Sequence, residues 1–583
     1  MGNEFLSNFC SKGGSSFSTQ KSLRHNSIRN NDGPLKEILL DKNSQIKTLS
    51  TVPVNTKTII RKLKGSPFEF NDVVDLLGVG SYGKVYKIRH KNTGLIRAMK
   101  VISKRQLKNN YDEKEIQNEI EVLKNVCHPN IIKLYEVYND SESYYLINEY
   151  CSEGELAKYL IHFKKFPEIV IKHIMYELFT AIHYLHNNNI IHGDIKLENI
   201  LIDNNTTNEQ NKSSTYQKLL EEVLESLNKD KSSEEYLKLK NYAIKIIDFG
   251  CSKIFKENKE KNINGKGGTL VYSSPELLNN NYNSKCDIWS CGVIMYILLS
   301  GEIPFRGATD SEIQDKIIRG RFCFYNQYFK DISFEAKDLI RKCFVYNSKD
   351  RITAKEALEH PFFSVEIPKI INSPSSYETK NKTRSVISSL LSFSNQSKFF
   401  QVVLAYLTHN FAKKQETNEL NQVFKLIDTD KDGKLSKNEL KTCLETLGIE
   451  VTEEGLNNLL KRIDFDNDGF INYQEYLQAT ISTKDLFTDE NLKSAFRLFD
   501  THSDGTVSVK ELEEILGLTE QIDKGIIMEL LKDIGKTEED EFTFEEFKLF
   551  IMQYIQQKGD DKNYNTSTEN TRISCTTDTK EDI

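Results

Sequence analysis

The sequence predicts a multidomain α+β chain, in which a mixed strand-and-helix unit is followed by an all-α unit. Its 583 residues exceed what one hydrophobic core can hold, so two or three folded units are expected. From Phe70 apolar alternation sets in, as in "DVVDLLGVGSYGKVYKIRH", and mixed strand and helix signals continue to "EALEHPFFS" near Ser364. Loops beginning at Asp428, Asp464 and Asp500 then recur every 36 residues, the mark of stacked copies of one small unit.

Residues 1–69 are rich in Ser, Asn and Lys without periodicity and read as a disordered arm. Residues 70–363 form the first unit. A polar, Asn-rich stretch at 203–242 interrupts it and reads as a surface insertion with one short amphipathic helix. Residues 364–415 form a junction, whose "SVISSLLSFSNQSKFFQVVLAYLTHNF" has helical apolar spacing. The repeats fill 416–556, and 557–583 read as a disordered tail. A net charge of -7, from 78 basic and 85 acidic residues, argues against a chain built to bind nucleic acid. The ten cysteines include no Cys-x-x-Cys pair, so neither a disulfide framework nor a zinc site is expected, and a reducing, cytoplasmic setting is. The longest apolar runs, such as "VIMYILL", are too short to span a bilayer, and no secretory leader is expected.

Glycines carry the first chemical signal. "LGVGSYGKV" places Leu77, Gly78, Val79, Gly80, Ser81, Tyr82, Gly83 and Val85 in a hairpin whose bare backbone can approach phosphates. Lys100 in "RAMKVI" follows on the next strand-like run, and Glu119 in "NEIEVLKNVCHPNI" lies on a helix, where it can orient that lysine. In "HGDIKLEN", Asp194 can accept a hydroxyl proton, Lys196 can neutralise a moving phosphoryl group and Asn199 can hold a metal. Asp248 in "IKIIDFG" supplies a second carboxylate for magnesium, and "SSPE", "DIWSCGV" with Asp287 and "DRITAKEALEHPFF" with Arg351 come after it.

This ordered series resembles the eukaryotic protein-kinase family over roughly residues 70 to 363. The resemblance implies a bilobal fold and Mg²⁺-dependent transfer from ATP to protein Ser/Thr acceptors. It places Asn148 at the gatekeeper position, gives Glu149 and Cys151 backbone bonds to adenine, and puts Glu155 beside the ribose and a basic side chain of the substrate. Glu198 joins the nucleotide set. Lys196 and Thr269 fit the Ser/Thr branch, and Glu276 with Arg351 matches a structural ion pair. Gly193 departs from the family, where an arginine often pairs with an activation-loop phosphate, so the switch is expected elsewhere.

The repeats show where. "DTDKDGKLSKNE" sets Asp428, Asp430 and Asp432 at the first, third and fifth positions, a backbone carbonyl from Lys434 at the seventh and Glu439 at the twelfth. Hard oxygens at this spacing wrap Ca²⁺. "DFDNDGFINYQE" repeats the set with Asp464, Asp466, Asp468, Phe470 and Glu475. The third loop keeps Asp500, Asp504, Thr506 and Glu511 but puts His502, a poor ligand for so hard a cation, at the third position. The fourth begins at Gly535, carries Asp540 in place of the turn glycine and keeps Phe542 and Glu546, which suits a structural partner for the third.

Kinase unit, helical junction and four hands together resemble the calcium-dependent protein kinases of plants and protists over about residues 70 to 556. The implied fold class is a bilobal protein-kinase fold followed by an all-α calmodulin-like domain of four EF-hands, the last degenerate. In that family the junction blocks the kinase at low calcium, and calcium makes the hands seize it. Val386, Leu390, Phe393, Phe400, Val403, Leu404 and Leu407 can fill an opened hand, while Lys380, Lys382 and Arg384 can mimic a basic substrate. Gly2 and Cys10 in "MGNEFLSNFC" are acylation candidates for peripheral membrane association, although Leu6 stands where the myristoylation pattern wants Ser or Thr. A monomer is expected. The competing readings are a calcium-regulated pseudokinase scaffold and a constitutive kinase with a calcium-buffering tail.

Overall fold

The structure is a computed structural model that describes residues 60–564, apart from 61, 65, 81–82, 108–109, 205–214, 229–237, 256–268, 365–376, 394–397, 484–485, 503, 517–536 and 538–539. The amino-terminal lobe is a six-stranded sheet. Its strands are β1 (Lys62–Lys64), β2 (Asn71–Gly80), β3 (Gly83–His90), β4 (Ile96–Ser103), β5 (Leu134–Asn139) and β6 (Ser143–Asn148), in the order β1-β5-β6-β4-β3-β2. The β2–β3 hairpin closes with Gly80 opposite Gly83. A Cβ on Gly83 would lie 1.7 Å from Val101 O of β4, so only glycine lets the hairpin lie this close. Helix α1 (Asn110–Asn125) packs beside β5. The expected disorder up to residue 69 needs correction at its end: β1 pairs parallel with β5, Lys62 opposite Val137, and Ile60 is buried. Three residues of strand are too short to show as periodicity.

Helices build the second lobe. They include α2 (Leu156–Phe163), α3 (Glu168–Asn187), α4 (Tyr216–Asn228), α5 (Lys285–Ser300) and α6 (Phe334–Cys343). Every residue of α5 from Cys286 to Ser300 is buried, as an all-round apolar helix requires. Arg351 pins this core. Its guanidinium donates to both Glu276 oxygens at 2.5 and 3.0 Å, to Lys285 O at 2.7 Å and to Val345 O at 2.9 Å, and it stacks over Trp289. Arg351→Met leaves Glu276 without its cation, so the kinase unit is expected to lose about 3–5 kcal/mol. Urea unfolding checks this, and a midpoint within error of the parent would show that the pair is dispensable. The insertion carries α4 as an amphipathic helix: Tyr216, Leu219, Leu220 and Val223 are each no more than 1% exposed, while Gln217, Lys218 and Glu221 face solvent.

The carboxy-terminal unit is helical throughout. The junction forms α7 (Tyr377–Ser392) and α8 (Lys398–Phe411), followed by α9 (Lys414–Ile427), α10 (Lys437–Thr446), α11 (Glu453–Ile463), α12 (Tyr473–Thr480), α13 (Asp489–Phe499), α14 (Val509–Leu516) and α15 (Phe544–Tyr564). The loops between them pair by two-residue strands. Lys434–Leu435 meets Ile471–Asn472, and Thr506–Val507 meets Phe542–Thr543, so the fourth loop backs the third. Junction and hands share one core, in which Val386, Leu390, Phe400, Val403, Leu404 and Leu407 are buried with Phe424, Leu477 and Phe499. No described helix is long and apolar enough to cross a membrane.

The helical unit docks behind the sheet and along α3. Arg97 of β4 donates to Asn410 O at the end of α8 at 2.9 Å, and His409 Nε2 lies 2.8 Å from Leu134 O of β5. Lys425 pairs with Glu177 at 2.7 Å, Lys414 pairs with Asp203 at 2.5 Å, and Lys431 sits 4.8 Å above the Tyr176 ring.

Candidate active site and calcium loops

Strand alternation gives β4 two jobs. Arg97 and Met99 face inward and are buried, while Ala98 and Lys100 take the other face. Lys100 Nζ lies 2.9 and 2.8 Å from the two Glu119 oxygens and 3.6 Å from Asp248. Burial alone would lower the lysine's pKa, but Glu119 and Asp248 outweigh it and hold it above the ordinary value, so the ammonium persists. Lys100 in turn holds the Asp248 carboxyl below its usual range.

Between the lobes, a buried carboxylate shapes the loop that carries Asp194. Asp287 accepts the His192 N–H at 3.0 Å and the Gly193 N–H at 2.9 Å, and lies 2.9 Å from His186 Nε2. Gly193 has φ +76°, and a Cβ there would press to 3.2 Å from Cys251 O. The backbone at this position thus favours glycine. Asp194 accepts from the Thr269 N–H at 3.0 Å, Lys196 Nζ at 2.5 Å and Asn199 Nδ2 at 3.2 Å. Lys196 also reaches Thr269 Oγ1 at 3.1 Å. Asn199 commits its amide nitrogen to Asp194, which leaves its oxygen as a ligand for a hard cation beside ionised Asp248. The donor set fits Mg²⁺.

The nucleotide-facing residues are placed less uniformly. Leu77, Gly78, Val79 and Gly80 lie on β2, with Leu77 and Val79 exposed, and Gly83 and Val85 lie on β3; Ser81 and Tyr82 lie outside the described residues. The Glu149 N–H is taken by Lys133 O at 2.8 Å and its carboxylate by Lys245 at 2.8 Å, so its carbonyl is what remains for adenine. Cys151 is buried. Glu155 keeps 40% side-chain exposure beside Lys158, and Glu198 accepts from Tyr272 Oη at 3.4 Å. Asn148 Oδ1 is buried without a hydrogen-bond partner among the described residues. Asn118 went unnoticed in the sequence. Its amide donates to Phe249 O at 3.3 Å and Ser252 O at 2.7 Å, fixing the turn after Asp248, and a lone helical asparagine carries no signal for that task.

Below α3 lie the calcium loops. One carboxylate oxygen from each of Asp428, Asp430 and Asp432 falls within 4.8 Å of the others, and so it is with Asp464, Asp466 and Asp468. Burial, with Asp432 and Glu439 adding, pushes the Asp428 carboxyl up to about 8, and burial with Asp466 pushes Glu475 up to about 9. Asp428 Oδ1 is buried with no partner among the described residues. Crowded carboxylates are what a dication relieves, in the first loop with an orphaned buried oxygen besides, so both loops fit Ca²⁺. Glu439 and Glu475 each accept two backbone N–H groups at the start of their own loops. Lys434 extends Nζ to Asp468 at 2.6 Å, tying the first loop to the second, and Phe470 is partly exposed beneath it.

In the third loop His502 Nδ1 sits 2.9 Å from Glu511 Oε1, so the imidazole engages the carboxylate that should close the site; Asp500 accepts the Gly505 N–H at 3.1 Å and Asp504 accepts from the Thr506 hydroxyl at 2.9 Å. His502→Asp frees Glu511 and adds an anionic oxygen. We expect the third loop's calcium affinity to rise by about tenfold or more, read as an added tight phase in a calcium titration. An unchanged isotherm would place the weakness of this loop elsewhere.

The junction basic residues do not enter the cleft. Lys382 faces Glu419 at 3.8 Å and Arg384 donates to Leu447 O at 3.2 Å, both within the helical unit, while Lys380 is exposed. Gly2 and Cys10 lie outside the described residues, as does Gly535.

These features define a class, a protein kinase joined to EF-hands. Residues 72–363, half of the chain, match the protein kinase domain; residues 417–481 match the EF-hand domain pair and 492–516 the EF hand. The chain is 38% identical over 370 residues to calcium-dependent protein kinase 4 of Plasmodium falciparum, covering 63% of this chain and 62% of that protein. To calcium-dependent protein kinase 4 of Plasmodium berghei it is 36% identical over 393 residues, 65% and 66% of the two. To calcium-dependent protein kinase 5 of Plasmodium falciparum it is 33% identical over 441 residues, covering 72% of this chain and 70% of the relative. The chain belongs to the calcium-dependent protein kinase family, and the first two alignments span under two thirds of those relatives' length.

Proposed function

We propose that the protein is a calcium-activated Ser/Thr kinase that moves the γ-phosphoryl of ATP to a protein hydroxyl. One observation carries the chemistry: Lys100, Glu119, Asp194, Lys196, Asn199 and Asp248 converge on one cleft, with Asp194 hydrogen-bonded to the hydroxyl-bearing Thr269. Asp194 orients the substrate hydroxyl and accepts its proton, Lys196 offsets charge on the phosphoryl oxygens, and Lys100 positions the nucleotide phosphates. Magnesium, when bound with ATP, neutralises the phosphates, held by Asn199 and Asp248. Asp428, Asp430, Asp432 and Glu439, with their counterparts Asp464, Asp466, Asp468 and Glu475, hold calcium.

The docked arrangement, with the junction inside the hands and behind the sheet, represents the released form. Without calcium the hands loosen their hold and the junction returns to block the cleft. The protein acts as a cytoplasmic monomer, and acylation at Gly2 and Cys10 adds membrane association. The test is transfer from Mg·ATP to a basic serine peptide, with calcium and then with chelator. Calcium-dependent transfer supports the reading; equal rates remove the switch; no transfer leaves a scaffold.

A further inference from the structure

The insertion takes no part in the chemistry above, yet its helix ends against the turn that carries Glu155. The N–H of Tyr216, first residue of α4, donates to Glu153 Oε2 at 3.1 Å. Tyr159 Oη reaches the same carboxylate at 3.1 Å and Glu153 O at 3.0 Å. The Tyr216 ring stands edge-on to Tyr159 at 5.1 Å and packs 5.0 Å from Tyr242, so α4 and α2 both close on the Glu153 carboxylate while Tyr242 backs the ring. The helix N-terminus adds a favourable field for that charge.

Glu153 and Glu155 are separated by Gly154 alone, which has φ +76°. Gly154 and Glu155 pair antiparallel with Ile202 and Leu201, on the strand that leaves the Asp194 loop and leads into the insertion. Pairing with Ile202 and Leu201 holds this backbone, and the anchored Glu153 carboxylate adds a side-chain tie at the turn from which Glu155 projects. We propose that α4 is a positioning element for substrate recognition: it anchors Glu153 so that Glu155 presents its carboxylate to a basic side chain of the peptide substrate. This rests on the kinase reading above.

The test compares a serine peptide bearing an arginine amino-terminal to the acceptor with the same peptide bearing alanine there, on the full chain in saturating calcium. Glu155→Ala is expected to abolish preference for the arginine peptide. Glu153→Ala, which removes no core residue, is expected to raise KM for that peptide by about fivefold while kcat stays within about twofold. Combined with Glu155→Ala it adds nothing further, because it acts through that residue. Tyr216→Ala keeps the backbone N–H but removes the ring packing on Tyr159 and Tyr242 that seats it, so it shifts KM in the same direction as Glu153→Ala, whereas Tyr216→Phe matches the parent, since the Tyr216 hydroxyl is buried without a partner among the described residues. Preference retained in Glu153→Ala, or an effect additive with Glu155→Ala, overturns the proposal, as does a parent that ignores the arginine. A parent that transfers no phosphate to either peptide sinks the kinase reading itself.

Discussion

Asp194→Asn is expected to lower phosphate transfer by about 10³-fold or more, with little change in nucleotide affinity. The geometry sets both halves of this expectation. Asp194 accepts from Lys196, Asn199 and the Thr269 N–H and donates to none of them. An asparagine must turn its own N–H groups toward at least one of these donors, and it can no longer take a proton at all. The nucleotide side of the cleft, formed by Lys100, Glu119 and Asp248, makes no hydrogen bond or ion pair with this carboxylate among the described residues and should keep its grip. Lys196 loses its anionic partner. Burial lowers the pKa of this ammonium, and Asp194 together with Asp248 and Glu198 outweighs it, so without the Asp194 charge its pKa falls and the residual rate should decline further toward high pH. The measurement is steady-state transfer against pH together with a binding titration of Mg·ATP. A residual rate above about a tenth of the parent would mean that the proton leaves by another route.

What could be read in advance follows a physical divide. Lys100, Asp194 and Asp248 were legible because phosphate and magnesium chemistry demands fixed residue types at fixed places on a strand, a loop and a turn. The calcium loops were legible for the same reason, since six oxygens within one twelve-residue loop leave little freedom. Gly193 was read as a regulatory sign, whereas its φ shows that the backbone also favours glycine there. The docking of the helical unit was not legible. Arg97 meets Asn410 across 313 positions, and nothing in "RAMKVI" shows that one face of the strand is claimed from behind. Lys382 and Arg384 looked free to imitate a substrate because their partners, Glu419 and Leu447 O, are distant in sequence. The insertion helix was expected, but the tyrosine cluster that buries it joins three separate segments and leaves no periodic trace.

Replacing Glu439 and Glu475 together by glutamine is expected to move the calcium midpoint for activation upward by about 100-fold or more, and at moderate calcium to leave the enzyme at its chelated rate. Each glutamate closes its loop, and a neutral amide supplies neither the charge nor the bidentate pair of oxygens. The effect reaches the kinase because the first loop itself rests on the second lobe. Gly433 adjoins the Tyr184 ring, Lys431 covers Tyr176, and Lys425 holds Glu177, which also accepts the Ile244 N–H on the strand leading to Asp248. Moving such a switch from ~1% to ~99% active takes about 5.5 kcal/mol of calcium-dependent preference for the docked form. Two loops tied together by their paired strands and by Lys434 on Asp468 can supply it jointly, and one cannot easily do so alone. Each single variant should therefore lose much of the response, and the double variant nearly all of it, with the apo rate unchanged. The readout is transfer rate against free calcium for the four proteins. A double variant that keeps the parental midpoint would place the switch outside these two loops, and one that is active in chelator would show that the glutamates restrain the docked form instead of closing a calcium site.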